Sequence, residues 1–275
     1  MNSAAPLSTS LPAAVAFDRL AESYDAKFTD SVVGRLQRQI VWDALSSAFY
    51  RGDFVLELNC GTGEDALFLA KRGLSVLACD ASEKMIAIAT RRKQREFPGG
   101  RLEFRLSPNE ALGQLDTAGQ RFDGALSNFS GLNCVEDLRS VATTLAGRIK
   151  PRGRVFICMS TRACAWEIVW HLARGNFRKA FRRLSGSTVA TVEGVRVSVH
   201  YPTARQIRRA FAPSFRICSM RAVGLFIPPS YAETWSAGHP RLLSLLALID
   251  RATRSLPGMR QLGDHILIEF ERVRA

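Results

Sequence analysis

Two glycines directly behind an apolar run mark the place where this chain could hold a nucleotide-like ligand. Phe54, Val55, Leu56, Glu57 and Leu58 read as a buried strand, Asn59-Cys60-Gly61-Thr62-Gly63 as a turn, and Glu64-Asp65-Ala66 as a helix start. Glycine lets the main chain pass close to a ligand, while the first helical turn aims unpaired N–H groups and the positive dipole end toward it. A second apolar run, Ser75-Val76-Leu77-Ala78-Cys79, ends on Asp80. A carboxylate at that strand end is placed to accept hydrogen bonds from both hydroxyls of a ribose.

Gly61-Thr62-Gly63-Glu64-Asp65-Ala66 satisfies the dinucleotide pattern G-x-G-x-x-A, so a nicotinamide or flavin oxidoreductase is one alternative. Against it, Glu64 and Asp65 stand in the first helical turn, where a pyrophosphate would add negative charge beside two carboxylates. A ligand without phosphates suits the turn better. S-adenosylmethionine (SAM) is one, and its sulfonium and ammonium groups would welcome an acid such as Glu57.

Five segments in order resemble the class I SAM-dependent methyltransferases, in the group that includes quinone and small-molecule methylating enzymes. They are Phe17 to Asp25 at the amino-terminal helix, Val55 to Gly63 at the first motif and Asp80 to Met85 at the second. Phe122 to Phe129 resembles the fourth strand with its active-site end, and Ile149 to Ile157 the turn into the fifth strand. The resemblance covers most of the chain. It implies SAM contacts at Glu57, Asn59, Gly61, Thr62, Gly63, Asp80 and Met85, an adenine contact at Asn109 or Glu110, Asn128 where the ligand crosses the sheet, and Tyr24 closing over the cofactor. Asn59 stands where the family usually has glycine, and Asn tolerates left-handed backbone angles better than most residues. Ser107-Pro108-Asn109-Glu110 departs from the family's usual Asp-Ala pair.

These residues need a doubly wound α/β frame. Val55–Leu58, Val76–Cys79, Leu102–Leu106, Gly124–Ser127 and Val155–Met159 alternate with helical stretches, which predicts parallel strands joined by crossovers. Ser214–Met220 and His265–Arg272 follow, the latter read as an antiparallel edge strand. The resemblance implies a Rossmann-like, seven-stranded, mostly parallel sheet with helices on both faces and an antiparallel last strand. Residues 1–15 read as a flexible tail and 16–275 as the methyltransferase domain. Two stretches exceed what such a core needs, at about 160–213 and 226–263, and the resemblance implies lids over the acceptor. In the first, Ala163–Leu184 reads as one helix, and Thr188–Val192 with Val195–Tyr201 as a hairpin turning at Glu193-Gly194.

At 275 residues, with 47% hydrophobic and 23% charged content, the chain predicts one globular domain with an ample core. The first dozen residues lack a signal peptide's cationic start and apolar run, and no apolar run approaches the roughly 20 residues of a membrane span, so a soluble cytoplasmic protein is expected. Six cysteines without a Cys-x-x-Cys pair and four scattered histidines predict no disulfide and no metal.

Net charge is +13, and fourteen Lys and Arg between residues 151 and 221 face only Glu167 and Glu193. Two expectations stand side by side: a solvated face that keeps the protein soluble, or a surface that gathers an anionic or amphiphilic small-molecule acceptor. Phe177 to Leu184 mixes basic and apolar residues as interfacial helices do, leaving peripheral membrane contact open. RNA is disfavoured because no appended module is visible and the aromatics fall at helical spacing with aliphatics. An oxygen acceptor would need a base; His171, His200, His239 and Tyr201 lie in or near the inserts, and none is assigned. Two further readings are a fold that uses SAM for other chemistry and one that only binds it.

Overall fold

The computed structural model describes residues 11–274. Strands β1 (Phe54–Leu58), β2 (Ser75–Asp80), β3 (Leu102–Leu106), β4 (Phe122–Ser127) and β5 (Ile149–Ser160) run parallel. A short hairpin of β6 (Ser187–Val192) and β7 (Val195–His200) stands apart from the main sheet. β9 (His265–Arg272) lies antiparallel between β5 and β8 (Phe215–Val223), so the main sheet has the order β3-β2-β1-β4-β5-β9-β8. β9 is therefore interior, which corrects its reading as an edge; Ile266, Ile268 and Phe270 face one layer and Leu267 the other, all buried.

The same alternation runs through the sheet. Val55, Val76, Ala78 and Phe156 pack on one face with α2 (Val32–Ala48) and α3 (Glu64–Lys71), whereas Leu56, Leu58, Leu77, Val155 and Ile157 pack on the other with α5 (Leu138–Arg148) and α8 (Ala204–Phe211). Strands buried on both faces must be apolar at nearly every residue, which is why the runs were legible. Local capping fixes the helix starts. Ser31 Oγ accepts from Gly34 N at α2, Ser82 Oγ from Met85 N at α4 (Glu83–Glu96), and Thr203 with Gln206 closes a capping box at α8.

Helix α1 (Pro12–Tyr24) begins with Pro at its first position, so residues 12–15 are its first turn rather than tail. The first ten residues of the expected tail lie outside the described residues. The single helix expected over Ala163–Leu184 is divided: Gly175 takes φ +68° after α6 (Ala165–Leu172), and the Asn176 side chain accepts from Lys179 N to start α7 (Phe177–Ala180). In the β6–β7 hairpin, Glu193 and Gly194 both take positive φ, 46° and 78°, as a two-residue turn matching strand twist requires. α8 is not lid: Ile207 and Phe211 are buried in the sheet core, so the first insert effectively ends with the hairpin. The second insert folds as α9 (Glu233–Gly238) and α10 (Pro240–Thr253), with Leu243 in the core and Leu245 and Leu248 exposed.

Candidate active site

Strand order reverses between β1 and β4, and a crevice opens beyond their carboxyl ends. A cavity of about 280 Å³ occupies it. Eight of the eleven residues expected at the cofactor line it: Tyr24, Asn59, Gly61, Asp80, Met85, Asn109, Glu110 and Asn128. Its roof is α1, from Pro12 to Tyr24, and the hairpin strand β7, which brings in Arg196, Val197 and Ser198. The hairpin is tied down by Lys27 to the Glu193 carboxylate at 2.8 Å and by Arg19 to the Glu193 carbonyl at 3.1 Å.

Asp80 Oδ2 accepts from Gly61 N and Oδ1 from Ser82 N, each at 2.9 Å, so one carboxylate joins the glycine turn to the head of α4. Burial raises the Asp80 carboxyl above its ordinary value, opposed by the backbone N–H groups of Ser82 and Gly61. A carboxylate has about four lone-pair positions; the backbone N–H groups of Gly61, Ser82 and Ala81 do not fill them all, which leaves acceptor capacity for a hydroxyl in the cavity. Gly61, at φ +54°, leaves open space where a side chain would stand: among the described residues, a Cβ placed there would meet only a Tyr24 ring carbon, at 4.0 Å. This cradle and the spare acceptor positions fit an adenosyl ligand.

Asn59 takes φ +56°, as its side chain permits. Its amide donates to Ser127 Oγ at 2.9 Å and accepts from Asn109 at 2.8 Å, bridging the ends of β1 and β4 to the segment after β3. Asn128 donates to Asp65 Oδ2 at 2.9 Å. Beyond it Phe129 and Ser130 both take positive φ, 43° and 69°. An aromatic residue there is strained. Its ring stands against Phe28 at 4.8 Å and beneath the Arg38 guanidinium at 5.0 Å.

Three expected contacts fall elsewhere. Gly63 is a packing glycine: a Cβ there would sit 2.7 Å from Phe104 and 2.9 Å from Ala89. Thr62 donates to Asp25 at 2.7 Å and lines only a small adjoining cleft of about 20 Å³ with Arg38, Glu64 and Asp65. Glu57 is buried outside both cavities with Oε2 unpartnered. Burial above all, with Asp65 nearby, raises its carboxyl well above the ordinary value.

The two acids at the head of α3 are not free charges facing the crevice. Asp65 accepts from Arg38 at 2.6 Å and Trp42 Nε1 at 2.7 Å, and Glu64 from Arg92 at 2.6 Å. Both carboxylates are thus neutralised by arginines.

A second cavity, of about 350 Å³, shares Phe17, Tyr24 and Phe129 with the first. Leu20 and Phe28 add apolar wall; Lys27, Ser160, Arg182, Arg183, Asp264 and His265 supply the polar part. Arg183 donates to Glu167 and to Asp264, at 2.8 and 2.9 Å, and Arg182 also reaches Glu167. Arg183, buried between two carboxylates, therefore belongs neither to a solvated face nor to a free anion trap, whereas Arg182, though paired with Glu167, stays exposed. The sequence concealed this because Glu167 and Asp264 lie far along the chain. His171, His200, His239 and Tyr201 line neither cavity, while His265, Phe129 and Arg38 do line one or more of these spaces. The aromatic after β4 was visible within the fourth-strand motif; no local signal singled out His265 or Arg38. Among the described residues, no helix is long and apolar enough to cross a membrane.

Residues 55–153 match a methyltransferase domain family. The chain is 33% identical over 147 residues to a demethylmenaquinone methyltransferase of Thermobifida fusca (53% of this chain, 59% of that protein), and 26% identical over 189 residues to an uncharacterized protein of Methanocaldococcus jannaschii (66% of each). It thus spans about three fifths to two thirds of the length of these curated relatives. Among solved structures, the 1,6-didemethyltoxoflavin-N1-methyltransferase of Burkholderia thailandensis, with S-adenosylhomocysteine bound, superposes with TM-score 0.59 at 17% identity, covering 100% of this chain and 93% of that one. That likeness establishes the fold. Residues 55–153 thus resemble a methyltransferase domain, in a chain with the fold of solved SAM-dependent methyltransferases.

Proposed function

We propose that this protein transfers a methyl group from SAM to a small, largely apolar, ring-containing acceptor. The observation that carries this is the pair of adjoining cavities, one built on Asp80 and the Gly61 turn, the other walled by aromatics, with Phe17, Tyr24 and Phe129 common to both. Two ligands in adjoining cavities that meet beside these three shared side chains can be aligned for an in-line displacement. Alignment of that kind supplies on the order of 7–11 kcal/mol.

In this reading Asp80 holds the ribose, Met85 and the Asn109–Glu110 segment flank the adenine, and the Gly61 main chain with Tyr24 and Asn128 encloses the methionine portion. SAM supplies an electrophilic methyl carbon with a neutral leaving group, so no oxyanion hole is required. α1 and the hairpin exclude water, which strips solvation from the nucleophile. The relatives' acceptors, a demethylmenaquinone and 1,6-didemethyltoxoflavin by name, support a ring-containing acceptor. An anionic group on it would meet Arg182 and Arg183 already committed to Glu167 and Asp264, so a neutral or weakly acidic acceptor fits better. Mass spectrometry of reactions with SAM and a panel of hydroxylated quinones and heteroaromatics tests this. The expected result is one added methyl on at least one of them; none with any, from protein that binds SAM, would overturn it.

A further inference from the structure

We propose that His265 is a catalytic residue that takes the proton from a phenolic hydroxyl of the acceptor; this rests on the methyl-transfer reading above. His265 opens β9 opposite Ser160 of β5 and lines the second cavity. Its ring stands edge to face with Phe129 at 5.5 Å, the residue that also walls the cofactor cavity, so the imidazole lies near the place where the two cavities adjoin.

The charged surroundings fix which nitrogen does what. Nδ1 is buried without a hydrogen-bond partner and faces Asp264 Oδ2 at 3.5 Å, leaving Nε2 as the nitrogen for the cavity. Asp264 is itself anchored by Arg183, and Arg183 by Glu167 of α6, at 2.9 and 2.6 Å. Lys27 faces the same cavity from the segment Asp25–Thr29 after α1, Arg182 from the turn after α7, and Ser160 from β5. Burial holds the imidazole's proton affinity below the ordinary value, against Asp264, which favours the charged form, and Arg183, which opposes it. Asp264 is kept below the usual carboxylate range, because His265 and Arg183 outweigh its burial. The resting pair is a neutral imidazole beside a carboxylate, the arrangement in which Nε2 accepts a proton and the carboxylate stabilises the cation that forms.

The acceptor class follows from acidity. A neutral imidazole is matched to a phenolic hydroxyl, near 10 in water as for tyrosine, far better than to an aliphatic alcohol. Phe17, Leu20, Tyr24 and Phe28 supply walls suited to an aromatic ring. In the step, the hydroxyl proton moves to Nε2 and the oxygen lone pair forms the new O–CH3 bond. The carbon's bond to sulfur breaks with its electron pair kept on sulfur, and the imidazolium then returns its proton to water.

The test uses full-length protein saturated with S-adenosylhomocysteine, histidine labelled with 13C at Cε1, and 4-nitrophenol as the probe, whose phenolate has its own visible absorption band. The His265→Gln variant identifies the His265 signal among the four histidines. The expected result is a saturable shift of that signal on adding the probe, a bound phenolate fraction at pH 6 at least threefold lower in His265→Gln, and equal S-adenosylhomocysteine affinity in both proteins by calorimetry. Binding that leaves the His265 signal in place, a phenolate fraction unchanged in the variant, or no binding of the probe would each overturn the proposal. Absence of S-adenosylhomocysteine binding, with the probe's effect on His265 intact, would overturn the methyl-transfer reading and leave the proton acceptor standing.

Discussion

Replacing Asp65 by Asn keeps the size of the side chain and removes one charge from the most connected carboxylate in the site. Asp65 is 4% exposed and accepts from Arg38, Trp42 and Asn128 at 2.6, 2.7 and 2.9 Å. Arg38, 5% exposed, already has its Nε unpartnered, and its other neighbours are the faces of Phe129 and Phe28. Burial works against the Arg38 charge, and Asp65, Tyr24 and Glu64 together outweigh it, so the guanidinium holds its proton more tightly than usual. In Asp65→Asn that cation is left buried and uncompensated, and an amide N–H2 must face donors. Breaking one side of a buried pair costs about 3–5 kcal/mol, against a total of about 5–15 kcal/mol for a domain. Urea unfolding followed by tryptophan fluorescence, with Trp42 as a local reporter, should show a loss in that range. Arg38→Met should recover at least about 2 kcal/mol of it in the double variant, since the unpaired cation is gone. A loss under about 1 kcal/mol, or strictly additive single changes, would refute the assignment of this pair as the clamp on Asn128 and α3.

Asp80→Asn should weaken S-adenosylhomocysteine binding about a hundredfold, about 2.7 kcal/mol, which is the worth of one charge-assisted hydrogen bond of about 1.5–3 kcal/mol; equal affinity by calorimetry would remove Asp80 from the ribose. Glu57→Gln should flatten the pH dependence of stability. Because the folded-state pKa of Glu57 lies above its unfolded value, wild-type stability is fullest below the unfolded value and falls by about 1.4 kcal/mol per unit as pH rises from there to the folded value; a wild type and variant with parallel pH–stability curves would contradict this. Arg183→Gln, which leaves Asp264 without its arginine and Glu167 with Arg182 alone, should cost about 3–5 kcal/mol, whereas Arg178→Gln with Lys179→Gln should stay within about 0.5 kcal/mol of wild type. Equal losses from the two sets, read by thermal melting, would mean that the basic insert is uniformly structural or uniformly solvated.

Strands were the most legible part of the chain. Leu102–Leu106 and His265–Arg272 agree to the residue: the first is an edge strand that buries only Leu102 fully, and the second starts on a buried run and ends on charged residues. Asp80, Asn59 and Asn128 were legible because each ends a strand, where register alone decides what reaches the crevice. Position in sequence says less about partners. Arg183 looked like one of a basic cluster until Asp264, a distant residue, was brought to 2.9 Å. Glu57 and Gly63 sit in the right motif yet serve packing and burial, since the motif constrains the backbone path and leaves side-chain direction to the neighbours. α1 escaped notice over residues 12–15 because Pro12 and the alanines after it resemble a tail, although Pro at a first helical position is favoured.

Whether the crevice over Gly61 and Asp80 takes an adenosyl sulfonium or a pyrophosphate-bearing nucleotide decides the chemistry of the whole site. Titration calorimetry of the full-length protein with S-adenosylhomocysteine and, separately, with NAD+ distinguishes them. Saturable one-to-one heat with S-adenosylhomocysteine and none with NAD+ is the predicted result, and the reverse pattern would contradict it.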